Sequence, residues 1–116
     1  MRHHNVNRKF GRETDQRRAL LRSLAGNLIT HGKIITTETK AKELKSFIEK
    51  LITKGKTDTV AVRRDLIKCL VVTKYVNKLI KEVSPKYIER KGGYTRVVKM
   101  GMRGGDGSRM AIIEFV

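Results

Sequence analysis

The apolar spacing of this chain changes for good after Pro85, and that change constrains the fold more than any other feature. Before it, one short β-branched run aside, apolar residues recur every three or four positions, the period of helices with one buried face. After it they gather into two short β-branched and aromatic runs, the pattern of strands. Thr14 and Asp15 can cap a first helix that carries Leu20, Leu21, Leu24, Leu28 and Ile29 near one face and stops at Gly32. Ile34 to Thr37 is short and β-branched and reads as a strand. Thr36 or Thr37 caps a second helix, with Glu38 in its first turn, Ala41, Leu44, Ile48, Leu51 and Ile52 at helical spacing, and Gly55 as its stop. Asp58 or Thr59 opens a third helix with Val62, Leu66, Cys69 and Leu70 inward. Thr73 opens a fourth with Val76, Leu79, Ile80 and Val83 inward, and Pro85 ends it. Tyr94 to Met100 and Met110 to Val116 are the late strands, joined by a loop from Gly101 to Arg109 that holds four glycines. The order αβαααββ is that of a two-layer α+β domain, helices packed on a small mixed sheet.

With 116 residues, 39% of them apolar, the chain is long enough for one domain with its own core. That domain is read as residues 13–116. Residues 1–12 have Val6 and Phe10 but no apolar periodicity, and read as a basic N-terminal arm that orders on binding.

Charge then narrows the partner. Lys and Arg number 27 against 11 Asp and Glu, a net charge of +16. A balance so one-sided points to a polyanion. The excess is densest at the start, where residues 1–22 hold seven basic groups, six of them arginine: Arg2, Arg8, Arg12, Arg17, Arg18 and Arg22, with Lys9 the one lysine. Guanidinium forks grip phosphate in a bidentate way, whereas ammonium groups act as point charges. The first segment therefore reads as specific phosphate contact and the lysine-rich middle as a diffuse field.

Catalytic and metal chemistry find little support. His3, His4 and His31 are the only histidines, and imidazoles beside arginines fit phosphate contact better than a metal site. Cys69, the single cysteine, lies on an apolar helix face and allows no internal disulfide and no multi-cysteine zinc site. The Gly101–Gly107 stretch lacks the Gly-Lys-Ser/Thr ending of a phosphate loop and opens no helix. No apolar run approaches the ~20 residues of a membrane span, and no apolar segment follows the N-terminus to make a secretory signal. The short N-terminus also leaves no room for a transit peptide, which favours a bacterial cytoplasm. No enzyme, cofactor, membrane or small-molecule substrate is expected.

Nucleic acid is the better class. Two basic stretches carry glycines: Arg90-Lys91-Gly92-Gly93-Tyr94-Thr95-Arg96 and Arg103-Gly104-Gly105-Asp106-Gly107-Ser108-Arg109. Gly92 and Gly93 can turn backbone N–H groups toward phosphate. Tyr94 is read either as stacking on a base or bonding a sugar, or as a strand residue packing its ring inward. Thr36, Thr37, Lys40 and Lys42 gather at a helix start, a ready anion site or simply a cap. A helix-turn-helix over residues 59–83 would offer Lys74, Asn77, Lys78 and Lys81 with no arginine, a poor set for reading base edges. Folded RNA suits the spread of charge better than duplex DNA.

Three separated segments carry a family likeness. Ile34-Ile-Thr-Thr-Glu-Thr-Lys-Ala-Lys-Glu-Leu44 with Glu49-Lys-Leu-Ile-Thr53 resembles the signature of the bacterial large-subunit ribosomal proteins numbered seventeen. So do Met1-Arg2-His3 with Arg8-Lys9 and the Arg17–Ala25 stretch at the start, and Arg90–Arg96 with Met110–Glu114 at the end. His4 departs from the pattern, where a basic residue, commonly arginine, is expected, and residues 55–73 match only in character. The resemblance implies the αβαααββ fold, binding to large-subunit rRNA near the nascent-chain exit, and neighbouring ribosomal proteins as partners. The residues expected to meet rRNA are Arg2, His3, Arg8, Lys9 and Arg12 in the arm, Arg17, Arg18 and Arg22 on the first helix, and Thr36, Thr37, Lys40 and Lys42 at the second. Arg90, Gly92, Gly93, Tyr94, Arg96, Arg103 and Arg109 complete the set at the C-terminal strands.

Overall fold

A computed structural model describes residues 14–116. The arm, residues 1–12, lies outside that range. Helix α1 (Thr14–His31) leads through Gly32 into strand β1 (Lys33–Thr37), and α2 (Glu38–Gly55) follows at once. Then come α3 (Val60–Leu70) and α4 (Thr73–Lys78), and finally β2 (Thr95–Met102) and β3 (Arg109–Phe115). The αβαααββ order is the one the apolar periods predict. Gly32 ends α1 as expected, with φ +83° and its N–H donating to the Leu28 carbonyl at 2.7 Å. Thr59 caps α3, its hydroxyl accepting from the Val62 N–H at 3.2 Å.

The sheet order is β1-β3-β2, and both pairings are antiparallel. The expected mixed sheet is thus corrected to an antiparallel one. The reason is local: β2 and β3 are joined by only six residues, and parallel neighbours need a far longer crossover. A register shift between Lys99 and Gly101 leaves Met100 as a bulge in β2.

One other expectation changes. Pro85 does not end the fourth helix. The chain passes from α4 into a wider turn over Leu79–Val83 and a tighter one over Ser84–Tyr87. Pro85 sits in the first turn of the latter, where its missing N–H is no loss. Gly55 is the last residue of α2, as expected, but not through a left-handed turn, since Lys56 stays at φ −65°. A Cβ on Gly55 would lie 2.6 Å from the Ser84 hydroxyl, which is fully buried and donates to the Ile52 carbonyl at 3.1 Å. Gly55 is there so that two chain segments can touch.

Helix α2 is the centre of the molecule. Its buried face of Ala41, Leu44, Ile48, Leu51 and Ile52 meets Leu28 and Ile29 of α1, Leu66 and Leu70 of α3, and Ala111 and Ile113 of β3 in one cluster. Between α3 and α4 the chain turns at Val71, with φ 67°, ψ −45° and a Val72 N–H to Leu70 carbonyl bond of 2.8 Å, a γ-turn that a β-branched residue adopts only under strain.

Candidate nucleic-acid interface

Two stretches that are far apart in sequence meet at the start of α2. Register places Thr37 opposite Met110, so Arg109 at the head of β3 arrives beside the first turn of α2. Thr37, Glu38, Thr39, Lys42, Ser108 and Arg109 line one cleft there. Thr36 is buried beneath it. Thr37 occupies the capping position but makes no side-chain cap bond. The charge that answers the helix end comes from Glu38 instead. Lys42 lies 2.9 Å from its carboxylate and Lys99 3.7 Å. The Lys42 hydrogen bond, followed by the fields of Lys42, Lys99 and Arg109, holds the Glu38 carboxyl below its ordinary value. Three cations thus share one carboxylate, and the cleft keeps a surplus of two positive charges. Lys40, on the next turn face, is half-buried and does not line the cleft.

The rest of the 103–109 stretch closes on itself. Arg103 grips Asp106 through two hydrogen bonds, Nη2 to Oδ2 at 2.6 Å and Nε to Oδ1 at 3.1 Å, and the Ser108 N–H donates to the same carboxylate. These bonds push the Asp106 carboxyl far below the usual range.

The Arg90–Arg96 stretch folds toward the core. Tyr94 is 1% exposed, its ring 5.2 Å from that of Tyr87, and its hydroxyl lies 3.1 Å from Thr53 Oγ1 and donates to the Arg90 carbonyl at 3.2 Å. The expected stacking of Tyr94 on a base is therefore corrected: the ring has no open face, and the inward reading holds. Lys56 also donates to the Arg90 carbonyl, and its ammonium stands 4.8 Å from the centre of the Tyr94 ring. The Arg90 guanidinium turns back to the Gly92 carbonyl, and Arg96 pairs with Glu114 at 2.7 Å. Gly92 and Gly93 both take positive φ, 146° and 63°, which lets the chain double back before β2. Arg96 faces Glu114, five residues along β3 from Arg109, so this stretch sits about 17 Å from the cleft.

A third basic area belongs to α1. Arg18 is exposed and Arg17 half-buried near the helix start. Arg22 is less free than expected, because its Nε donates to the Cys69 carbonyl at the end of α3. Arg2, His3, Arg8, Lys9 and Arg12 lie outside the described residues. The sequence reading missed Lys99, whose side of the sheet depends on a register beside the bulge, and Glu49, which accepts from the Thr95 N–H and hydroxyl. It also gave no weight to the spacing of Glu38 and Lys42, four residues apart on one helix face, which was there to be read.

A helix-turn-helix does not form. α4 has six residues, Asn77 accepts from Arg63 at 2.7 Å, and Lys78 donates to the Thr30 carbonyl at 3.0 Å. Among the described residues no cluster of His, Cys, Asp or Glu is placed to hold a metal, and no helix is long and apolar enough to cross a membrane.

Residues 20–116 match the family model described as ribosomal protein L17. The chain belongs to the ribosomal protein L17 family. A large ribosomal subunit protein bL17 of Clostridium acetobutylicum is 51% identical over 109 residues, which is 94% of this chain and 96% of the relative. Proteins of the same name from Clostridium beijerinckii and Clostridium botulinum are 50% and 49% identical over the same shares. As a member of this family the chain is a structural protein of the ribosome, not an enzyme.

Proposed function

We propose that this chain binds folded large-subunit rRNA in the cytoplasmic ribosome and holds together backbone segments that would otherwise repel. The observation that carries the reading is the cleft at the start of α2, where Lys42, Lys99 and Arg109 surround a single carboxylate. A helix N-terminus with surplus cations suits a phosphate. Thr37 and Lys40 flank that contact, and Thr36 supports it from below. Arg17, Arg18 and the free face of Arg22 form a second contact. The Arg90–Arg96 turn offers the backbone of Gly92 and Gly93, together with Arg90 and Arg96 where phosphate competes with their present partners. Arg103 joins on the same terms. The arm, with Arg2, His3, Arg8, Lys9 and Arg12, threads between RNA segments. The names of the relatives support the large subunit as the setting, with other subunit proteins as neighbours, and the family resemblance favours a position toward the nascent-chain exit.

Sucrose-gradient fractionation at low and at high salt tests this. The chain should travel with large subunits and stay there at high salt. Recovery only in light fractions would remove the ribosomal reading. In a filter-binding assay with a large-subunit rRNA fragment, affinity should fall about 10³–10⁵-fold between 50 and 200 mM salt if 6–10 phosphates are neutralised. A nearly flat response would sink the phosphate contacts.

A further inference from the structure

An antiparallel sheet covered by helices on one side normally shows polar residues on the other. Here the open face does not follow that rule. Register sets Ile35 of β1, Ile112 of β3 and Val98 of β2 side by side across all three strands. Their inward neighbours Ile34, Ile113 and Val97 already pack on the core, so this row points away from it. Ile35 is 61% exposed and Val98 44%. Met110 lies next to Ile112 on the same face, two residues along β3, and the bulged Met100 is exposed beside it. An apolar groove continues from the row over the edge of β1 to Leu24 and His31 of α1.

The charges around the row select the occupant. The adjacent row is Lys33, Glu114 and Arg96, and Glu114 is taken by Arg96 at 2.7 Å. Lys33 pairs with no described carboxylate. RNA is a poor fit, since the row has no aromatic ring for a base and one cation to spare for phosphate. A second copy is a poor fit as well, because each copy carries +16. We infer that the outer face of the sheet docks a segment of another protein, one that lays apolar side chains across Ile35, Ile112 and Val98 and brings a carboxylate to Lys33. The inference rests on the ribosomal reading for where that protein is met, and it gives the Ile35, Ile112 and Val98 row a different partner from the α2 cleft: protein at the one and RNA at the other.

The test uses full-length chains with Cys69→Ser and either Ile35→Cys or Val98→Cys, both at exposed positions, incorporated into large subunits. Melting curves matching the Cys69→Ser parent establish folding. Maleimide should label both cysteines in the free chain, and that labelling should be lost in intact subunits. A benzophenone attached at either cysteine should then give a protease-sensitive adduct with a different polypeptide, and acidic substitution in the captured segment's partner position, Lys33→Glu, should weaken that adduct. Labelling in subunits at the free-chain rate would overturn the surface alone, as would an adduct with rRNA or with a second copy. If the wild-type chain is missing from the subunits, the ribosomal reading fails first and the surface with it.

Discussion

The two glycine-bearing basic stretches, Arg90–Arg96 and Arg103–Arg109, look alike on paper and behave differently in the fold. The first is tied to the core by a buried tyrosine, with Thr53 and Lys56 closing over it. The second stands clear of the core, closed by the Arg103–Asp106 pair and by backbone bonds of Arg103, Gly107 and Ser108, and delivers Arg109 to the α2 cleft. Arginine and glycine content is the same kind of signal in both. The difference lies in the residue after the glycines: Tyr94 in one, Asp106 in the other. An aromatic that can be buried turns a basic loop into architecture, and a carboxylate turns it into a closed, solvated turn.

The largest expected effect tests the first half of that contrast. Tyr94→Ala should lower the thermal midpoint by more than about 10 °C, because it empties a filled site beside Tyr87, while Tyr94→Phe should cost about 5 °C through its lost hydrogen bonds. If Tyr94→Ala melted normally yet lost RNA affinity, the stretch would be a binding loop after all. Next come the glycines. Gly93→Ala, at φ 63°, should destabilise by about 1–2 kcal/mol in urea unfolding. Gly104→Ala, whose added Cβ meets nothing within 4 Å and whose φ is ordinary, should be neutral or stabilise by up to about 1 kcal/mol. Equal costs at the two sites would erase the distinction.

Binding should divide the other way. Arg109→Gln or Lys99→Gln should each reduce the slope of log affinity against log salt by about one. Asp106→Asn should free Arg103 and strengthen rRNA binding without moving the melting curve. The smallest effect concerns acid. Asp106 has its carboxyl depressed below the ordinary 3.8, so its contribution is complete above that value and fades only as pH falls through the depressed one. The Ser108 amide should keep its bonded chemical shift at pH 3.8, and loss of that shift as early as in a free aspartate would dissolve the closed turn.

Element order was legible in the sequence because each helix carries its own apolar period and stop, as Leu44, Ile48 and Ile52 show for α2. What was not legible depends on pairing. Lys99 joins Glu38 only because the register opposes it to Ala111, and no single-strand pattern carries that information. Pro85 and Gly55 were read by their usual local roles, yet their places are set by Ser84 reaching the α2 backbone. Among the expected site residues, the exposure of Arg109 and Arg18 follows from charge alone. Tyr94 could not be assigned, since an aromatic in a basic strand fits either a base or a core.

The strand order has a consequence for how the protein comes into being. β1 and β2 never touch each other in the sheet; each bonds only to β3, which lies between them and is synthesised after both. A growing chain can therefore bring α1 through α4 together by short-range contacts while β1 waits, with its partner more than seventy residues away. The α2 cleft is incomplete for the same interval, since Arg109 arrives with β3. Assembly of the cleft is thus timed by the last strand to emerge: a chain still in the making presents α1 first, and the cleft follows once synthesis has passed Phe115.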